Sequence, residues 1–170
     1  INALTVRDKG DAEIRDHIRL RDTRPFMVTE QESLPAKKSV FNRIIGDSHF
    51  ELEFASFLEN CTDVLAYAKN YLAVNFKLDY INRDGNISYY YPDFIVRLPK
   101  NRIVIVETKG NADLDTPLKM ERLHQWCEDV NKAQNEVKYE CLYVEQEEFE
   151  RYKPKNFGEL NMEFKKCTIY

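Results

Sequence analysis

The sequence predicts a mixed α/β fold of the α+β kind, in which helices flank a mixed central sheet. Two helix-like stretches, each apolar along one face, enclose a series of strand-like segments, and one more apolar strand-like segment follows the second helix. The 170 residues, 43% of them hydrophobic, suffice for one substantial core. The expected order is therefore helix, three-strand antiparallel meander, helix and a further strand.

The N-terminal residues 1–46 carry the weakest patterns, and we expect them to form an extension packed on the core. Within it, the pattern favours a short helix around Ala12–Leu20 and a brief strand at Pro25–Val28. Residues 47–170 are expected to form the main domain. Because the chain begins with Ile1 rather than Met, we also expect it to be a piece of a longer protein.

Two helices and a parallel strand are expected around the meander. The first helix should begin at Gly46–Ser48 and end near Asn60, because one face is covered by Phe50, Phe54, Phe57, Leu58 and Cys61. The second should span about Thr116–Lys132, with one side formed by Leu123, Trp126, Cys127 and Val130. Tyr139–Val144 is reached through that helix, so we expect a strand parallel to its neighbour.

The meander is expected from three strand-like segments joined by two turns. Val74–Tyr80 alternates apolar and polar residues, which is typical of a half-buried strand. The Asp-Gly pair in Arg83–Asn86 suits a tight turn into a second strand, Ile87–Leu98. The third strand should follow a turn at Pro99–Arg102. It is apolar on both faces and therefore belongs in the middle of a covered sheet.

The net charge of the chain is not typical of a nucleic-acid-binding protein. The formal charge is −4, from 25 basic and 29 acidic residues, whereas such domains usually show a basic excess. The acidic residues are concentrated late in the chain, however, and basic residues lie early, at Arg19, Arg21, Arg24, Lys37, Lys38 and Arg43. A local basic face is therefore still compatible with the composition.

Cysteine spacing and hydropathy bear on the compartment. The four cysteines are widely separated and form no C-x-x-C pair, which argues against a zinc site or a redox dithiol. Unpaired thiols fit the reducing cytosol, so we expect a cytoplasmic location. No apolar run approaches the ~20 residues that a membrane-spanning helix needs, and no membrane partner is expected.

Three ionisable residues interrupt the apolar meander: Asp93, Glu107 and Lys109. A Glu-x-Lys triplet alone carries little information, since the chain contains three of them. Only Glu107–Lys109 ends an apolar strand, precedes a glycine and follows an aspartate in the neighbouring strand. Residues two apart on a strand project from one face, about 6–7 Å apart along the backbone, so Glu107 and Lys109 should be neighbours.

The position of Asp93 depends on the register of this hairpin. If Leu98 pairs with Ile103 around a four-residue turn, Asp93 falls opposite Thr108 and on the wrong face. A three- or five-residue turn, or a bulge near Pro92, shifts the register by one and brings Asp93 beside Glu107. We expect such an irregularity.

Two neighbouring carboxylates repel each other, and a hard cation with oxygen ligands relieves the repulsion. Mg²⁺ fits, because it commonly keeps several waters beside one or two carboxylates. A metal held by Asp93 and Glu107, with Lys109 stabilising negative charge, is suited to hydrolysis of a phosphodiester.

These residues also carry a family resemblance. Pro92-Asp93 followed by Glu107-Thr108-Lys109, on this order of elements, resembles the PD-(D/E)xK nuclease superfamily. Further motifs resemble the C-terminal endonuclease domain of type III restriction enzyme Res subunits: Phe50-Glu51, Phe54-Ala55, Leu58, Ala68-Lys69-Asn70, Tyr90–Val96, Val106–Gly110 and Trp126-Cys127. The similarity covers roughly Ser48 to Tyr143.

The resemblance implies a restriction-endonuclease-like core and a Mg²⁺-dependent endodeoxyribonuclease, with Mn²⁺ able to substitute. It implies that Asp93 and Glu107 are metal ligands, that the Thr108 carbonyl joins them, and that Lys109 is the catalytic lysine. Glu51 would match the helix glutamate that completes many such sites. The substrate implied is double-stranded DNA.

The same resemblance implies partners outside this chain. In that family an ATP-driven helicase precedes the nuclease in a longer polypeptide, and a DNA methyltransferase (Mod) subunit reads the sequence. None of the five glycines here belongs to a G-x-x-x-x-G-K phosphate loop, so we expect no ATP site in this chain.

Each candidate residue also has a simpler interpretation. Glu107 and Lys109 could be a surface ion pair, and Glu51 could only cap its helix in a Ser48–Glu51 capping box. The weaker DNA-binding candidates, for which a solvated lysine or arginine is an equally good or better explanation, are Lys69, Lys119 and Arg122.

The rival function is a catalytically silent nuclease-fold module, used for DNA docking or subunit assembly, in which these charges form a structural network. The acid–acid–lysine set favours the enzyme, and the acidic overall charge slightly favours the rival.

Overall fold

A computed structural model describes residues 2–6, 12–27, 31–110 and 113–164. Within these residues the chain forms ten strands, one short 3₁₀ helix at Leu20–Asp22 and four α-helices. In chain order the elements are β1 (Asn2–Val6), β2 (Ala12–His17), β3 (Ser33–Pro35), β4 (Arg43–Ile45), α1 (His49–Asn60), β5 (Ala66–Lys69), β6 (Leu78–Ile81), β7 (Ile87–Tyr90), β8 (Phe94–Leu98), β9 (Arg102–Lys109), α2 (Thr116–Ala133), β10 (Lys138–Glu145), α3 (Gln146–Tyr152) and α4 (Phe157–Glu163).

The central sheet has four strands in the order β10-β9-β8-β5. β10 runs parallel to β9, as expected for a strand reached through a helix, whereas β8 is antiparallel to both β9 and β5. The predicted mixed α+β fold with a mixed central sheet is therefore confirmed. It is consistent with a restriction-endonuclease-like core.

Helices cover both faces of this sheet because its central strands are apolar on both sides. One face forms the α1-side core, in which Phe54 and Leu58 pack with Val104 and Val106. The other forms the α2-side core, in which Leu123, Trp126 and Val130 pack with Ile95 and Ile105. Of the helices in the described residues, none combines the length and hydrophobicity that crossing a membrane requires.

Helix α1 begins where the sequence predicts. The Ser48 hydroxyl accepts a hydrogen bond from the Glu51 amide (3.2 Å), and the Glu51 carboxylate accepts one from the Asp47 amide (3.0 Å). This arrangement closely resembles a capping box and satisfies amides that have no partner within the helix. It also fixes Glu51 at the start of α1, next to the carboxyl end of β5.

A three-residue turn sets the register of the β8–β9 hairpin. Leu98 pairs with Arg102, so only residues 99–101 form the turn, and Lys100 and Asn101 adopt φ values of 61° and 53°. Phe94 consequently pairs with Val106, and the same register continued by one residue places Asp93 opposite Glu107. The expected shift of register is therefore confirmed, and its cause is the shorter turn.

The antiparallel part of the central sheet is assembled from different segments than the sequence suggested. Its outer strand is β5, whereas the alternating segment Val74–Tyr80 contributes only its last residues to β6. The predicted strand Ile87–Leu98 is divided at Pro92 into β7 and β8. β6 and β7 pair with each other as a separate hairpin, inserted between the central strands. Gly85, with φ of 79°, makes the turn of that hairpin as predicted.

The N-terminal segment differs from expectation. The predicted helix around Ala12–Leu20 is wrong, because β2 occupies Ala12–His17 and pairs antiparallel with β1. This hairpin contacts α2. Pro25–Met27 form no strand, and Val28 lies outside the described residues. Further along, Ile44 of β4 is fully buried in the α1-side core; the domain boundary at residues 46/47 stays a prediction.

Asn70 connects the loops around the carboxyl end of β5. Its side-chain amide, buried in the domain, donates to the carbonyls of Phe76 (2.7 Å) and Pro92 (2.8 Å). Its backbone amide donates to the Asp93 carbonyl (2.7 Å). Asn70 therefore fixes the bend that leads into Asp93.

Replacing Asn70 with alanine should lower the free energy of unfolding by about 2 kcal/mol, because two buried carbonyls lose their donor. The matched control is Asn60→Ala, which removes an exposed side-chain hydrogen bond to Ser56 (2.8 Å). That change should cost less than about 0.5 kcal/mol. Urea denaturation measures both, and equal losses would show that Asn70 has no special structural role.

Candidate active site

Asp93 follows the Pro92 bend and is held by Thr108 on the neighbouring strand. One oxygen of its carboxylate accepts hydrogen bonds from the Thr108 amide (2.8 Å) and hydroxyl (2.7 Å). Burial nevertheless raises the pKa of Asp93 to about 6, and the Glu51 carboxylate contributes to the increase. Lys69 acts in the opposite direction. The pKa of Asp93 therefore lies closer to neutral pH than that of an ordinary aspartate, and the carboxyl group interacts electrostatically with Glu51 of α1 and Lys69 of β5.

Glu107 lies in β9 with only 7% of its surface exposed. The buried hydroxyl of Tyr90 donates to its carboxylate over 2.9 Å. Burial raises the pKa of Glu107 well above its usual value, and repulsion from Asp93 raises it further. The two carboxylates therefore interact across the hairpin. The predicted shift of register was expected to bring these two carboxylates together.

Lys109 and Lys119 converge on a single acid, Asp113. Their ammonium groups lie 3.1 Å and 2.9 Å from the same Asp113 oxygen. These lysines hold the pKa of Asp113 far below its usual value, and both lower the pKa of Glu107. Two positive charges against one negative charge leave a local positive excess beside Glu107.

Lys69 lies on β5 in a cluster with two acids from the start of α1. Its ammonium nitrogen lies 2.5 Å from Asp47 and 2.6 Å from Glu51, and its side chain is 3% exposed. Burial lowers the pKa of Lys69, but the hydrogen bonds to both acids more than compensate, so the net shift is upward. The interpretation of Lys69 as a solvated lysine is therefore wrong.

The remaining predicted residues lie near this centre with partners of their own. Thr108 is buried and bonded to Asp93, as described above. The Arg122 guanidinium donates to the Asp79 carbonyl (3.0 Å) and so connects α2 to β6. Contacts of Lys69, Lys119 and Arg122 with DNA stay predictions.

Sequence reasoning did not identify three residues that shape the site. Tyr90 belongs to the row Tyr89-Tyr90-Tyr91, to which no catalytic role was assigned, yet its hydroxyl donates a hydrogen bond to Glu107. Asn70 and Asp113 were given no role. The Pro92 bend could have indicated Asn70, because a break in a strand leaves carbonyls that need donors. No comparable pattern in the sequence indicated that Asp113 would bind Lys109 and Lys119.

A comparison with known protein families matches residues 37–146, more than half of the 170-residue chain, to the family described as "Endonuclease domain". The chain belongs to this endonuclease domain family. A search of curated proteins and a search of solved structures found no significant match. The matched region contains all of the candidate residues, from Asp47 to Arg122.

In this endonuclease domain, the carboxylates of Asp93 and Glu107 interact as the metal-site prediction requires, and a metal contact of the Thr108 carbonyl stays a prediction. Among the described residues, no group of three or more His, Cys, Asp and Glu side chains is arranged to hold a metal. Two carboxylates suit an ion such as Mg²⁺, which keeps several of its waters. The raised pKa values of both acids reflect the destabilisation that a cation between them would relieve.

The raised pKa of Asp93 predicts a specific pH dependence of stability. The folded state holds the Asp93 proton more tightly than the unfolded state, whose pKa is near 3.8. Protonation of Asp93 therefore favours the folded state. This contribution to stability is fully present below about pH 4 and is lost as the pH rises through about 6. Without divalent metal, Asp93→Asn should gain about 1–3 kcal/mol over the wild type at pH 7.5 and little at pH 4.

Thermal or urea unfolding at the two pH values checks this, with the exposed Asp84→Asn as control. The control should show the same small difference from the wild type at both pH values. An Asp93→Asn variant that is destabilised equally at pH 4 and pH 7.5 would contradict the burial of an ionised carboxylate.

Proposed function

We propose that this domain is a Mg²⁺-dependent endodeoxyribonuclease that hydrolyses phosphodiester bonds of double-stranded DNA by PD-(D/E)xK-type chemistry. The observation that carries the proposal is the pair of mutually repelling carboxylates beside Lys109, the partly buried Asp93 and the buried Glu107. A purely structural ion network would be expected to pair these acids with cations. Here each acid is instead held by neutral donors and has a raised pKa.

The proposed roles follow from these contacts. Asp93 and Glu107 would hold the metal ion, with the Thr108 carbonyl as a further oxygen ligand, and Mn²⁺ would substitute for Mg²⁺. A metal bound there would polarise a phosphoryl oxygen and lower the pKa of a bound water. Thr108 and Tyr90 orient the two carboxylates through their hydrogen bonds. Lys109 would stabilise negative charge that develops on the phosphate.

Two features support DNA as the substrate. Lys109 and Lys119 outnumber their shared acid, so a phosphate could be bound by the positive excess near Glu107. A groove of about 630 Å³ also borders Asp93 and is lined in part by Tyr71 and Tyr91. Aromatic side chains beside a nucleic-acid groove offer surfaces on which bases stack.

The proposed setting is the cleavage domain of a type III restriction enzyme. Membership of the endonuclease domain family supports a nuclease, and the motifs at Tyr90–Val96 and Val106–Gly110 support the narrower assignment. A helicase/ATPase portion of a longer polypeptide would supply ATP-driven movement on DNA. A methyltransferase (Mod) subunit would supply sequence recognition.

The alternative is a catalytically silent module for DNA docking or subunit assembly. The observation in its favour is the engagement of Lys109 and Lys119 by Asp113, which leaves neither ammonium without an acidic partner. On this alternative, DNA binding would not depend on a divalent metal and no cleavage would occur.

Cleavage of supercoiled plasmid with Mg²⁺ separates these functions. The domain should convert plasmid to nicked or linear DNA, and Asp93→Ala, Glu107→Ala or Lys109→Ala should each reduce the rate by about 100-fold or more. The control, Lys132→Ala, removes an exposed lysine at the far end of α2 and should leave the rate unchanged. Activity that is equal in the wild type and Lys109→Ala would exclude this site as the source of cleavage.

A further inference from the structure

The buried Lys69 ammonium lies between the buried Glu51 and the exposed Asp47, so that two carboxylates contact one cation that belongs to the protein. The Lys69 nitrogen contacts one oxygen of each acid, so those oxygens are at most about 5 Å apart. Oxygens bound to one Mg²⁺ ion at about 2.0–2.1 Å are separated by at most about 4 Å. The ammonium group lies between the two carboxylates, and an approach of at most about 1 Å would bring these oxygens within the span of one small divalent ion.

This cluster is directly connected to the proposed metal ligands. Lys69 pairs with Phe94 in the β5–β8 ladder, so it is one position from Asp93 along the sheet. Asn70, the next residue, donates its backbone amide to the Asp93 carbonyl over 2.7 Å. Asp93, Lys69 and Asp47 also line the same groove. A second ion bound by Asp47 and Glu51 would consequently lie next to the first.

We propose that Lys69 is a built-in cation that takes the place of a second metal ion at Asp47 and Glu51, so that the site binds one divalent ion per chain. Lys69 is then a positioning residue: it keeps Glu51 at the start of α1 beside Asp93 without making it a metal ligand. Glu51 contributes negative charge near Asp93, and the Lys69 ammonium limits that charge. The inference rests on the proposed function, since it concerns the number of ions at the same site.

The hydrogen bonds of Glu51 agree with this assignment. One Glu51 oxygen accepts a hydrogen bond from the Asp47 amide (3.0 Å) and also contacts the Lys69 ammonium (2.6 Å). A metal ion at that oxygen would have to displace the ammonium. In two-metal nucleases the ions are about 3.5–4 Å apart and share carboxylate ligands. Here the Lys69 ammonium contacts the carboxylate oxygens that a second ion would need as ligands.

Mn²⁺ titration followed by electron paramagnetic resonance tests the proposal, because it counts bound ions without requiring cleavage. The wild-type chain should bind one Mn²⁺, and Asp93→Asn or Glu107→Gln should weaken that binding at least tenfold. Lys69→Gln releases Asp47 and Glu51 and should raise the count to two. The double variant Lys69→Gln/Glu51→Gln should bind one ion again. Lys69→Arg, which retains the positive charge, should also bind one ion.

The exposed Lys132→Gln makes the same chemical change far from the site and should leave the count at one. Circular dichroism establishes which variants fold. If Lys69→Gln does not fold, two bound ions in the wild type or in Lys69→Arg would still contradict the proposal.

The outcomes also distinguish this inference from the proposed function. One ion in the wild type, lost in Asp93→Asn, with a count that stays at one in folded Lys69→Gln, contradicts only the role of Lys69. No binding in the wild type, or binding indifferent to Asp93→Asn and Glu107→Gln, contradicts the proposed function and the inference together.

Discussion

The pairing register of β8 and β9 determines whether this domain has a site at all. Because residues 99–101 turn the chain in three positions, Asp93 lies opposite Glu107 rather than Thr108. A turn one residue longer would exchange the two faces of β8, since side chains alternate along a strand. The positive φ values of Lys100 and Asn101 are the local cost of this turn. The packing of both hydrophobic cores against β8 and β9 maintains the register.

The register brings together two acids whose burial opposes folding. Neutral donors, the Tyr90 hydroxyl and the Thr108 amide and hydroxyl, compensate the acids only in part, so both pKa values stay high. Asp47 and Glu51, by contrast, both contact the Lys69 ammonium directly. Under the proposed function, the protein itself supplies the cation for one part of the acidic centre, and an ion from solution would supply it for the other.

Much of this arrangement could be predicted from local patterns. The apolar strand that ends in Glu107–Lys109, the α1 cap at Ser48 and the bend at Pro92 are all encoded within a few residues of the place where they act. β5 was missed as a strand because it is short and shows no alternation, since three of its four residues are buried. The helix expected at Ala12–Leu20 was wrong because pairing with β1 decided the conformation of that segment. The burial of Lys69 could not be predicted from local patterns either, because it depends on acids contributed by a different part of the chain.

Anomalous diffraction from crystals soaked in Mn²⁺ tests most directly whether Asp93 and Glu107 jointly bind a divalent cation. One strong anomalous peak is expected between the two carboxylates, within about 2.0–2.3 Å of an oxygen of each. The contacts of Lys69 with Asp47 and Glu51 should be unchanged. A peak elsewhere, or none at saturating Mn²⁺ with both side chains ordered, would show that these two acids do not form a metal site.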